Sequence, residues 1–206
     1  MLRFLISFVI CFSSIAASAE VVHRKPGEDT VRFIAREGLA ESEFTHVVIE
    51  TKEWKFKDDI IIAFYERAFI DSKTDNTYSV ITGFVFIPIT DRQYQKIEID
   101  SYGPEGGGDP NIETVLFADT DKGPDKKLIL IVSRPQKQSG VSGTLYSTYV
   151  YAKPALKPAL QKLAYLKDVS KKLSGDCECV WADGRKKRAK FKTASDITAE
   201  LKQWLR

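Results

Sequence analysis

The chain has 206 residues, 43% hydrophobic and 29% charged, with 12 Gly, 8 Pro and a formal net charge of +3. These proportions exclude disordered, collagen-like and low-complexity proteins, and the length supports one domain with a core of useful size. So small a net charge also argues against a dedicated polyanion binder, and nucleic acid is not an expected partner.

The first 19 residues read MLRFLISFVICFSSIAASA. Arg3 gives a positive start, residues 4–12 form an apolar run broken only by Ser7, and Ala17-Ser18-Ala19 is the small-x-small pattern before a cleavage point. This is the pattern of a secretory signal, and its apolar run is too short to span a bilayer. Cys11 follows Ile10, where lipidation requires a small residue, so a lipoprotein is not expected. Removal of the first 19 of the 206 residues leaves 187 and lowers the charge from +3 to +2, because Arg3 is lost. No later stretch approaches a membrane span, so the mature protein is expected in the periplasm or outside the cell.

Residues 20–27 read as an extended lead-in and 28–37 as a short amphipathic helix carrying Val31, Ile34 and Ala35, with Gly38 as its stop. From Phe44 the period becomes strand-like. Segments 44–51, 59–65, 79–87, 96–100, 112–118, 127–133 and 144–151 are rich in β-branched and aromatic residues. Turn-rich pieces at 71–76, 102–111, 119–125 and 134–143 separate them. After Pro158, Leu160, Leu163, Leu166, Val169 and Leu173 recur at helical spacing. A hairpin around 182–184 and a last helix with Ile197, Leu201 and Leu205 complete the chain. The expected class is α+β: a mostly antiparallel sheet of about seven strands over 44–154, with helices on one face or at the ends. The C-terminal helix, hairpin and helix of 155–206 would pack on that sheet, and residues 20–43 lead into it.

Cys177 and Cys179 remain after cleavage, an even count in an oxidising compartment. On an extended strand their Cα atoms would stand near the ~7 Å limit for a disulfide. A Cys-x-Cys bond, two free thiols and pairing with another chain all stay open.

Phe117-Ala-Asp-Thr-Asp-Lys-Gly-Pro-Asp-Lys-Lys-Leu-Ile-Leu130 resembles the Asp-rich loop of FG-GAP and VCBS-type repeats. The resemblance implies a strand–loop–strand unit in which carboxylates at alternate loop positions converge on calcium. Asp119 and Asp121 match positions 1 and 3, and Asp125 stands near the loop's end. Gly123 takes position 5, however, and Lys126 and Lys127 replace the final carboxylate. The expectation is a degenerate module that keeps the turn and needs no cofactor. If a metal bound, it would be calcium on Asp119, Asp121 and Asp125.

Residues 102–110 are glycine-rich but lack the Gly-Lys-Ser/Thr ending of a phosphate loop. They read as a wide turn that presents Glu105 and Asp109 for binding. Ser142-Gly-Thr-Leu-Tyr146 has the S-G-x-x-Y form of periplasmic lysozyme inhibitors. That resemblance implies that a loop bearing Ser142 and Tyr146 enters a partner's cleft. The competing reading is that Ser142-Gly143 closes a turn and Tyr146 packs on the sheet.

Arg185, Lys186, Lys187 and Arg188 lead a stretch with six cations in eight residues, a patch for an anionic envelope component or a solvated edge strand. His23 and His46 are the two histidines, and no G-x-S-x-G elbow is present, so no Ser–His–Asp arrangement is legible. The expected function is therefore an exported, non-catalytic protein that binds a macromolecular partner, as an inhibitor or immunity protein does. Its contacts would come from the loops at 102–111, 119–126 and 134–143. The alternative is an envelope hydrolase or calcium-dependent module joining Asp119 or Asp121 to Asp109 or Glu105.

Overall fold

A computed structural model describes residues 20–44, 47–72, 75–136, 139–157 and 159–206. The leader and His46 lie outside the described residues. Eleven strands and three helices appear in the order β1 (Glu20–His23), α1 (Thr30–Arg36), β2 (Glu43–Phe44), β3 (Ile49–Thr51), β4 (Ile60–Ile70), β5 (Thr77–Pro88), β6 (Gln93–Tyr102), β7 (Asn111–Ala118), β8 (Lys127–Gln136), β9 (Val141–Tyr151), α2 (Lys167–Leu173), β10 (Cys177–Trp181), β11 (Lys186–Lys187) and α3 (Ala194–Trp204).

The strands form two sheets, not one. The first has the order β1-β6-β5-β4-β2, with β3 also on β4; the second runs β11-β10-β9-β8-β7. All strand pairs are antiparallel. The reason lies in strands that are apolar on both faces. Ile60, Ile62 and Phe64 of β4 join Val85, Ile97 and Ile99 of their own sheet and Leu128, Leu130, Val132 and Tyr151 of the other in one core between the sheets. Their neighbours Ile61, Ala63 and Tyr65 point the opposite way, under Phe33 and Ile34 of α1. Ile129 and Ile131 of β8 likewise face Leu173 of α2 and Ile197 and Leu201 of α3. Side chains alternate along a strand, so a single run of apolar residues fills two layers. The architecture is a four-layer α/β/β/α sandwich. Each fully buried large apolar side chain contributes about 1.5–3 kcal/mol to it.

Several expected elements differ, and the expected strand at 44–51 is represented by two short strands, β2 and β3. The lead-in forms β1, pairing Glu20–His23 with Lys96–Gln93 of β6. The C-terminal hairpin adds β10 and β11 to the second sheet, where Cys177–Trp181 pair with Leu145–Val141 of β9. The expected helix over Leu160–Leu173 reduces to α2, and Leu160 to Leu166 lie in an extended strap. Glu98 N–H donates to Gln161 C=O and Leu163 N–H to Glu98 C=O, both at 2.8 Å, on the first sheet. Ala152 N–H then bonds Ala164 C=O and Leu166 N–H bonds Val150 C=O on the second. The strap closes that side of the sandwich, and Leu163 is spent in the intersheet core rather than on a helix face.

Cys177 and Cys179 are bonded to each other. Their Cα atoms stand 5.1 Å apart, so the backbone between them is contracted from the extended spacing that made such a bond look difficult.

α1 is shorter than expected and buries Phe33 and Ile34, while Val31 is exposed. Asp29 caps its N-terminus by accepting from Arg32 N–H. Glu28, just before the cap, takes Arg36 Nε at 3.0 Å and Nη2 at 2.9 Å. These bonds, with Lys25 N–H, hold the Glu28 carboxyl down at about 2, against an ordinary 4.5. A carboxyl lowered by folding supports the fold fully above its ordinary value and loses that support as pH falls through the lowered one. A carbon-detected NMR titration of Glu28 is expected to show a midpoint near 2; a midpoint near 4.5 would contradict the Arg36 clamp.

Candidate functional site at one end of the sandwich

The loop after β6 is tighter than a wide turn. Glu105 and Gly108 bond reciprocally, N to O at 3.1 and 3.2 Å, across Gly106 and Gly107, both at positive φ. The loop lies flat on the end of β8, and a Cβ at Gly108 would overlap the Pro135 carbonyl. Asp109 accepts from Ser79 N–H at 2.9 Å and so caps one edge of β5. The loop at 102–111 and the β8–β9 connection therefore share an end of the sandwich. The Asp loop does not: it follows Ala118, at the far end of β7, roughly 26 Å away along eight strand residues. Asp119 and Asp121 are thus not brought together with Asp109 or Glu105.

Beneath the glycine loop sits Arg134, 3% exposed. It follows Leu128, Leu130 and Val132 on the inner face of β8. Its Nε donates to Gly103 C=O at 2.8 Å and its Nη2 to Tyr149 Oη at 3.3 Å. Its Nη1 has no acceptor among the described residues, and the carboxylate facing it is Glu105, at 3.8 Å. The Tyr149 ring packs edge-on against Tyr102, 4.9 Å between centroids. Tyr102 Oη lies 2.9 Å from Tyr151 Oη, which donates to Asp100 at 3.0 Å. Lys162 of the strap meets Asp100 at 2.6 Å and Glu98 at 3.0 Å.

Burial drives the Tyr102 and Tyr151 hydroxyls well above their ordinary range; the bond between them pulls Tyr102 down but pushes Tyr151 further up. They stay protonated and serve as donors, so the chain of groups ties the two sheets together. Sequence reading missed this network. The period-2 placement of Arg134 after Val132, and of Tyr149 with Tyr151, was the available signal; the partners across the sheets were not readable.

The same end carries a projecting arm. β4 and β5 stay paired from Arg67↔Val80 to Ile70↔Thr77, past Ile81↔Tyr102, where β6 stops. Phe69 packs on Tyr78 at 5.7 Å, yet Phe69 is 37% and Ile70 68% exposed.

Ser142 and Tyr146 lie inside β9, not on a loop. Ser142 pairs with Val180, and Tyr146 N–H bonds Asp176 C=O at 3.1 Å. Gly143 sits opposite Cys179 at φ 145°, and a Cβ there would overlap the Glu178 carbonyl. Tyr146 packs on the core beneath α2 and α3.

In the Asp loop, Asp121 accepts from Gly123 N–H at 2.7 Å and lies 3.4 Å from Lys127, while Asp125 pairs with Lys153 at 2.8 Å. The Lys153 ammonium holds the Asp125 carboxyl below its ordinary range. Asp119 is exposed. Among the described residues no group of three His, Cys, Asp or Glu side chains is placed to hold one metal ion. The loop is instead pinned from the first sheet: Trp54 donates to Lys126 C=O at 2.9 Å, and Lys126 pairs with Glu53 at 2.7 Å.

Within the basic stretch only Lys186 and Lys187 form the edge strand β11. Arg185 pairs with Asp183, Lys187 with Asp176, Lys190 with Glu200 and Lys192 with Glu178. Lys186 and Arg188 have no ion pair among the described residues. His23, exposed in β1, spends its carbonyl on Arg36.

No helix among the described residues is long and apolar enough to cross a membrane. The fold and this end define an α/β/β/α sandwich with a two-stranded arm above a buried arginine. No protein-family model, curated protein or solved structure matches the chain.

Proposed function

We propose that this is an exported, non-catalytic protein that grips a macromolecular partner with the end bearing the arm, the glycine loop and the start of β9. The observation that carries the reading is the arm itself. A two-stranded ribbon is marginal in water, yet this one projects beyond the sandwich with Phe69 and Ile70 exposed. Its base is braced by Asp109 on Ser79, and the neighbouring glycine loop is held by Arg134 under Gly103. A preorganised apolar pair on a rigid support, near the end of the arm, is suited to a pocket in another protein. The leader sequence supports delivery to the periplasm or beyond.

Immobilised mature protein should capture its partner from envelope extract. Phe69→Asp with Ile70→Asp should cut that capture about tenfold or more, since central apolar anchors dominate protein interfaces. Both side chains are exposed, so the melting temperature should hold. Undiminished capture by the double variant would sink the reading.

A further inference from the structure

We propose that the free edge of β4 beyond Glu66 receives an extended, positively charged segment of the partner as an added strand. The inference rests on the function proposed above and narrows it to a partner chemistry. β2 covers β4 only at Glu43↔Glu66 and Phe44↔Tyr65. From Arg67 to Ile70, β4 pairs with β5 alone among the described residues. On the arm's other edge Asp109 already takes the Ser79 N–H. The β4 edge is a template of backbone donors and acceptors, the geometry of strand addition.

Charge selects the occupant. Glu41, Glu43 and Glu66 line a recess of about 340 Å³ with Ala68 and Ser79, on the face of the arm that continues the intersheet core. None of these glutamates has an ion pair among the described residues. Glu43 and Glu66 also stand directly opposite in the ladder, where like charges repel. A strand laid along Arg67–Ile70 would send every second side chain towards this recess and the others towards the face of Phe69. Cations at the first set relieve the repulsion, and apolar side chains at the second extend the Phe69–Tyr78 contact. An acidic segment meets three uncompensated carboxylates, and a helix has no free backbone to offer the edge.

The test uses an end-blocked octapeptide of alternating lysine and valine with the mature protein, read by fluorescence anisotropy at low ionic strength, where screening is weak. Binding is expected. Glu41→Gln with Glu43→Gln and Glu66→Gln should weaken it about tenfold or more, with the melt unharmed. An alternating glutamate–valine peptide should not bind. Methylating the peptide's amides in one of its two alternate sets should abolish binding while keeping every charge. Equal binding by the triple variant, or by both methylated peptides, would overturn the inference. Self-association lost in the triple variant, without peptide binding, would give the edge to a second copy and overturn it too. Should the peptide fail while Phe69→Asp/Ile70→Asp still loses the partner, this inference falls and the proposed function stands. Peptide binding as expected, with capture undiminished by that double variant, would instead keep the strand-accepting edge and remove Phe69 and Ile70 as the partner's anchor.

Discussion

Trp54→Ala should lower the unfolding free energy by about 3–5 kcal/mol, the range for deleting a fully buried aromatic side chain. Trp54 is 1% exposed and stands edge-on to Phe117 at 5.3 Å. It also donates to Lys126 C=O, so its loss leaves a cavity and frees a loop carbonyl together. Trp54 comes from the loop between β3 and β4 of one sheet, and Phe117 and Lys126 from the other. The substitution therefore removes a cross-sheet rivet, and Gly123 and the aspartates of 119–125 should lose amide-exchange protection before the arm end does. Chemical denaturation with residue-resolved exchange checks both parts. A loss under about 1 kcal/mol would mean that the sheets do not meet there.

Gly143→Ala should cost about 2–4 kcal/mol. Any Cβ at this position points at the Glu178 carbonyl and the Cys179 backbone, and φ is 145°, where L side chains are strained. β9 and β10 would have to part near the Cys177–Cys179 bond. Ser142→Ala, one residue away and exposed, should leave the melt within about half a kcal/mol of the parent. This contrast separates the two readings of the S-G-x-x-Y segment. A glycine held by packing inside a strand destabilises when changed, whereas a glycine serving an inserted loop would spare stability and harm binding.

Strands were the more legible part of this sequence. The alternation in Lys96-Ile-Glu-Ile-Asp100 and the β-branched runs of β4, β5 and β8 locate those elements, though β4 continues from the expected end at Tyr65 to Ile70. What alternation could not reveal was the second layer. Ile60 to Tyr65 is apolar at every position, which suits a central strand of one sheet and equally a strand between a facing sheet and a helix. The choice was made by residues far away, Leu130 and Val132 on one side and Phe33 on the other. The 160–173 segment misled for a related reason. Leu160, Leu163 and Leu166 keep a three-residue period, but Glu98 and Val150 offer backbone partners on two sheets, and those bonds replace the helix.

The candidate site was half legible. Glu105 and Asp109 were readable as loop acids because glycine and proline surround them. Their roles were not: Asp109 caps a strand edge thirty residues earlier in the chain, and Glu105 faces an arginine on a strand that comes later in the sequence. The arm was not legible because Glu66 and Arg67 end the apolar run of 59–65, so Ala68, Phe69 and Ile70 do not read as its continuation. Their exposure follows from β6 ending at Tyr102, which local sequence does not announce.

The most direct test places a photo-crosslinking amino acid at Ile70, on the arm, and in a second variant at Lys122, in the Asp loop at the opposite end. Both positions are exposed. Irradiation in envelope extract should give one discrete partner adduct from Ile70 and none from Lys122. An adduct from Lys122 with none from Ile70 would show that the partner meets the other end of the sandwich and would contradict the account.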